Sequence, residues 1–212
     1  MRFRTALSAL FIAALSAGPL GAAPPATVAS SGTQDPPTRL VTSAAELKDL
    51  IGSTQSKLDA YKEKLSKSKE AAKDAPRVIE ETIAQLDQLI ARFDKDGDIR
   101  KDLDESKAFS EQKANEFASS NNPKLAAIAP RFQAQVTEFE TLETESARLV
   151  KTANEQRRAL ADSKEALVAL EQAKMMDDVI LVFKDSLKSF DQVVTATQGY
   201  VAGVDKLGGG GL

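Results

Sequence analysis

Residues 47–65 read LKDLIGSTQSKLDAYKEKL. In them Leu47, Ile51, Thr54, Leu58, Tyr61 and Leu65 recur at alternating spacings of four and three. A 3.5-residue period puts these side chains on one stripe of a helix. The beat continues to Ser68 and Ala72, and it returns near the other end at Met176, Ile180, Phe183, Leu187, Phe190, Val194, Thr197, Val201 and Val204. The chain between carries matching stripes: Ile79, Ile83, Leu86, Ile90 and Phe93, then Ile99, Leu103, Ser106, Ala114 and Phe117, then a long run from Phe132 to Leu170. Such stripes have to be covered, and the turn signals lie where they would meet.

Ser43-Ala44-Ala45-Glu46 has the form of a capping box and predicts the start of the first helix. Ala75-Pro76 is the first break, because proline cannot continue a helix. Asp94-Lys95-Asp96-Gly97-Asp98 interrupts the second helix, and the pattern resumes out of phase at Ile99. Ser119-Ser120-Asn121-Asn122-Pro123 is the clearest turn, with Asn122 suited to an N-cap and Pro123 to the first helical position. Pro130 permits a second start, and the phase resets near Lys174. The last helix is expected to run unbroken from Met175 to Leu207.

Partners in an antiparallel hairpin have nearly constant summed positions. About the Asn-Asn-Pro turn this pairs Phe117 with Phe132, Phe109 with Phe139, and Ile99 with Val150. About Pro76 it pairs Ile51 with Ile99 and Leu65 with Leu86; about Lys174 it pairs Phe190 with Leu160 and Val201 with Leu149. Leu47, Leu103, Ser146 and Val204 then lie level. The expected fold is all-α: an elongated antiparallel four-helix bundle, coiled-coil-like, over 43–207. A two-helix hairpin arm would project from it over about Asp104–Glu145.

Before the repeats, Arg2 and Arg4 precede an apolar run from Ala6 to Ala17 and a small-residue end at Gly21-Ala22. This is the pattern of a Sec-type signal peptide over 1–22, too short in its apolar part for a comfortable membrane span. Residues 23–42, rich in Pro, Ala, Thr and Ser, read as a flexible leader, and 208–212 as a glycine-rich tail. The implied location is periplasmic or secreted, in a bacterium. The chain has no Cys, so no disulfide is available and helix packing must hold it together.

Catalytic motifs are weak. The chain has no His, which removes His-dependent triads and His-ligated metals. Asp94–Asp98 resembles a calcium loop, but with Gly97 at the sixth position Arg92 and Leu103 fall where the first and last ligands belong. Ser110-Glu111-Gln112-Lys113 fits a Ser-x-x-Lys nucleophile pattern without its companion elements. No enzyme activity and no cofactor or metal is expected.

Charge is the informative asymmetry. Between Asp104 and Glu145 there are eight acids against four bases, a net charge of −4. An acidic arm disfavours nucleic acid and anionic lipid and favours a protein partner with a basic surface. The candidate partner-binding residues are Glu138, Glu140, Glu143 and Glu145 on the arm, with Asn121, Asn122 and Lys124 at its turn. Phe109, Phe117, Phe132 and Phe139 are expected to form the seam between the arm's helices. Val179–Phe183, apolar on all faces, reads as core, with no stable membrane insertion. Homo-oligomerisation is left open.

The shape resembles envelope proteins that work through helical hairpins, such as periplasmic adaptors and tentacled chaperones. That implies a non-enzymatic interaction scaffold, adaptor or chaperone-like module. Two other readings stand beside it: a ligand-binding bundle with an internal cavity behind Thr54, Ser68, Ser146 and Thr197, and a membrane-active helical protein exposing Val179–Phe183.

Overall fold

The computed structural model describes residues 35–209, and side chains through 207. The signal segment 1–22, the leader through 34 and the tail residues 210–212 lie outside the described residues. All that follows belongs to one compact unit, Thr33–Leu212. The elements are α1 (Pro36–Lys67), a 3-10 turn (Lys69–Asp74), α2 (Ala75–Phe93), α3 (Asp98–Ala118), α4 (Pro123–Ala126), α5 (Ala129–Gln172), α6 (Met176–Ser186) and α7 (Phe190–Gly209). No strand occurs among the described residues.

The chain runs up α1, down α2 and α3, up α5 and down α6 and α7. α1 packs on α3 and α7, while α5 packs on α2, α3 and α7. The four-helix bundle is therefore as the stripes require, with α1 and α5 on one diagonal. At 44 residues α5 spans about 66 Å and runs the length of the described bundle. One continuous core joins Leu47, Leu58, Leu86, Leu103, Leu149 and Leu160 to Phe183 and Phe190. Truncating any of these to Ala should cost about 2–5 kcal/mol.

The first helix starts at Pro36, seven residues before the expected Ser43. The leader expected over 23–42 is thus helical from residue 36 onward. Two prolines in the first turn explain the start: they lack only N–H groups that a helix leaves unpaired, and their φ is already helical. Leu40 and Ala44 are buried, and the Ser43 hydroxyl donates to Asp102 Oδ2 at 2.9 Å instead of capping.

The first reversal is also displaced. α1 stops at Lys67, Ser68 is extended, and the turn is made by Lys69–Asp74. The buried Tyr61 hydroxyl holds it by donating to the Ala71 carbonyl at 2.6 Å. Pro76 sits in the first turn of α2, past the corner. Because the corner lies earlier in sequence, α1 slides along α3, and Ser43 meets Asp102 where the expected register put Lys107.

The break between α2 and α3 is real. Gly97 is needed there because a Cβ would lie 2.2 Å from the Arg92 carbonyl oxygen. Asp98 pairs with Arg92 at 2.6 Å. α5 ends in a Schellman motif, with Lys174 N–H bonded to Glu171 O and Met175 N–H to Leu170 O. Lys174 occupies the left-handed position at φ 58°. That cap is the phase reset read from the pattern.

The last helix is two helices, not one. α6 ends at Ser186 and α7 begins at Phe190. Buried Gln156 on α5 stands opposite the break: its Nε2 donates to the Ser186 carbonyl at 2.9 Å, and its Oε1 accepts from the Ser189 hydroxyl. The amide takes up backbone hydrogen bonding that the interruption releases. Beyond the break Val193 and Tyr200 are buried and Val194 is only partly so, while Thr197, Val201 and Val204 keep the expected face. Gly203 lies against Leu142, where the expected register put Ala147; a Cβ at Gly203 would be 2.6 Å from Leu142 Cδ2. The absent side chain lets α7 close on α5 at that level.

Candidate interaction surface

α3 and α5 continue together to the turn that joins them. Phe117 and Phe132 meet edge to face at 5.4 Å, with Ala114, Ala129 and Val136 buried beside them. Lys113 Nζ lies 5.9 Å from the Phe109 ring centroid and 5.7 Å from that of Phe117, within cation–π reach of both rings. Phe139 is buried in the bundle core. Of the expected seam, the Phe117–Phe132 pair is present, while Phe109 is half-buried beside Lys113.

At the tip, Asn121, Asn122 and Lys124 are exposed. Asn122 is spent locally: its Oδ1 caps α4 by accepting from Lys124 N–H at 3.0 Å, and its own N–H donates to Ser120 Oγ at 3.1 Å. That leaves Asn121 and the Lys124 ammonium as the outward groups of the three.

The four glutamates do not form one cluster. Glu138 and Glu145, seven residues apart, share one side of α5, and Glu140 and Glu143 share another. Glu143 is drawn into ion pairs with Lys107 at 3.1 Å and Arg100 at 3.9 Å. Glu145 approaches Arg148 at 3.9 Å. Among the described residues Glu138 and Glu140 have no cation within pairing distance.

Sequence reasoning missed Glu111, which lies one turn after Lys107 on α3. The Lys107 ammonium is held above its ordinary pKa, first by its hydrogen bond to Glu143, with Glu140 and Glu111 adding to the same field. On this flank Glu143 pairs with the ammonium, and Glu140 and Glu111 act on it from beyond pairing distance. The i,i+4 spacing of Lys107 and Glu111 was the available signal.

The hairpin is also shorter beyond the bundle than the expected 104–145. Because α1 starts early, Arg39 reaches Asp102 at 3.0 Å and also pairs with Glu105. Pro37 and Val41 of α1 and Leu207 of α7 stand around Ser110 and Phe139. All four helix columns therefore extend to the level of Ser110. Between them lies an open groove of about 340 Å³. Its floor is apolar at Val41, Phe139 and Leu207; its polar groups are Thr38, Gln135 and Asp205. Ser110, buried within it, donates to Gln135 Oε1 at 3.4 Å.

Other sequence candidates resolve differently. Thr54, Ser146 and Thr197 are buried, but their hydroxyls donate to carbonyls of their own helix, those of Leu50, Glu143 and Val193. Ser68 is an exposed C-cap. Lys113 pairs with Glu116 at 2.8 Å and not with Ser110. Within Val179–Phe183 the two end residues are buried, and Leu181 is 59% exposed. No described helix is long and apolar enough to cross a membrane. Among the described residues no group of three or more metal-ligating side chains converges. In comparisons with protein-family models, curated proteins and solved structures, the chain has no match.

Proposed function

We propose that this chain is a non-enzymatic helical-bundle protein of the bacterial envelope, carried to the periplasm or beyond by a Sec-type signal. It acts as an interaction scaffold, adaptor or chaperone-like module. The bundle is the stable base, and the α3–α5 hairpin presents an acidic surface to a protein partner with a basic face. The observation that carries this reading is the division of labour on the hairpin. Phe117 and Phe132 face each other, while Glu111, Glu138 and Glu140 remain outward without cations of their own among the described residues. Attraction of this kind acts mainly on association rate and is screened over a Debye length of about 8 Å at physiological salt.

The test replaces Glu111, Glu138 and Glu140 together with Gln and measures capture of partners from envelope extract at low and high salt. Capture should fall severalfold at low salt with an unchanged melting temperature, and the difference should vanish at high salt. Capture indifferent to both the replacements and the salt would overturn the reading. Osmotic shock checks the compartment: release of a mature chain beginning near Ala23 is the expected result.

A further inference from the structure

We infer that the groove at the end of the bundle receives a basic side chain, an Arg or Lys, of a partner protein's docking segment. The inference rests on the reading of the hairpin as an acidic interaction surface and assigns the contact that would give it specificity. Three features of the groove argue for this occupant.

The first is its form. About 340 Å³ lies at the small end of the range for sites that hold a compact organic group, and among the described residues it is open on one side. The second is the pairing of chemistry along it. Val41, Phe139 and Leu207 offer an apolar bed of the kind that the methylene stem of Arg or Lys covers, with its charge left at the rim. The third is the charge at the rim. The ionisable group among the lining residues is Asp205, exposed and with no cation within pairing distance among the described residues. Gln135 and Thr38 add acceptor oxygens elsewhere in the lining. The acidic hairpin that continues past the groove is complementary to the same partner, so long-range steering and short-range seating have one sign.

The probe is butylguanidinium, which has an apolar stem and a planar cation, added to the full-length mature chain labelled with nitrogen-15 and methyl carbon-13. Butylurea is the neutral control of nearly the same shape. Saturable shifts in the millimolar range are expected at Thr38, Val41, Gln135 and Leu207, with butylurea weaker. Asp205→Asn should weaken butylguanidinium about three- to fivefold, the range of an exposed ion pair, and leave butylurea unchanged. Asp205 is exposed, so this variant should fold. Thr38→Arg, which places a stem and cation at the groove from the protein's own exposed first turn, should abolish the shifts and also reduce partner capture.

Absence of saturable shifts at those residues, or equal binding of butylurea, overturns the inference. So does concentration-dependent dimerisation, seen by sedimentation and abolished by Thr38→Arg, because the occupant would then be a second copy of this chain. Replacing Glu111, Glu138 and Glu140 with Gln should leave fragment binding unaltered while capture falls. Failure of the groove and failure of the acidic hairpin are therefore separately visible.

Discussion

Alkali should unfold this protein through its two tyrosines. They are the whole tyrosine content of a chain without tryptophan, so their ionisation can be read without interference. Tyr200 is fully buried and packs edge to face on Phe93 at 5.2 Å. Tyr61 is buried, packs on Phe183 and uses its hydroxyl proton in the bond to Ala71 O. Burial pushes both phenols well above their ordinary pKa of about 10, since a phenolate in the core would lose its hydration. The folded pKa is raised, so the stabilisation is fully present below about pH 10 and is lost as pH climbs above it. Each tyrosine then removes about 1.4 kcal/mol per pH unit, and the two together about 2.7. By about pH 12 the loss reaches about 5 kcal/mol, on the scale of a whole domain's stability. Tyrosinate absorbance and far-ultraviolet circular dichroism, followed on one sample, should change together in a single cooperative step. Tyr61→Phe or Tyr200→Phe should each halve the slope of stability against pH, which assigns the loss to the tyrosines. Tyrosinate appearing near pH 10 with helicity intact would refute the burial on which this rests.

Lys174→Gly should raise stability by about 1 kcal/mol in thermal or urea unfolding, because glycine adopts the left-handed C′ position without the Cβ conflict that lysine meets; a loss would mean that the Lys174 side chain has a role the cap does not show. Gln156→Leu should cost about 2–4 kcal/mol, since it leaves the Ser186 carbonyl without its partner in the core and removes the acceptor of the Ser189 hydroxyl. Hydrogen exchange on that variant should show the loss first at residues 186–190, and uniform loss across α6 and α7 would argue against a local role for the amide.

The bundle was legible in the sequence because each helix is amphipathic over many turns, and four apolar stripes of comparable length have few ways to be covered. The turn at Asn122-Pro123, the break around Gly97 and the aromatic seam at Phe117 and Phe132 follow from local chemistry: capping, missing N–H groups and ring area. What only tertiary structure decided is register. A heptad stripe matches itself after any whole number of repeats, so pattern alone could not say that Ser43 faces Asp102 or that Leu142 faces Gly203. Those choices came from single side chains acting across helices: Tyr61 holding a corner, Gln156 meeting a break, Gly203 admitting a close approach. The start of α1 was hidden for the same reason. Asp35-Pro36-Pro37 reads as linker until Leu40, Ala44 and Arg39 are seen to have partners on the neighbouring helix, and that early start is what places Pro37 and Val41 at the groove. The glutamates carried charge in sequence, but which of them stay outward depended on the cations that α3 brings alongside α5.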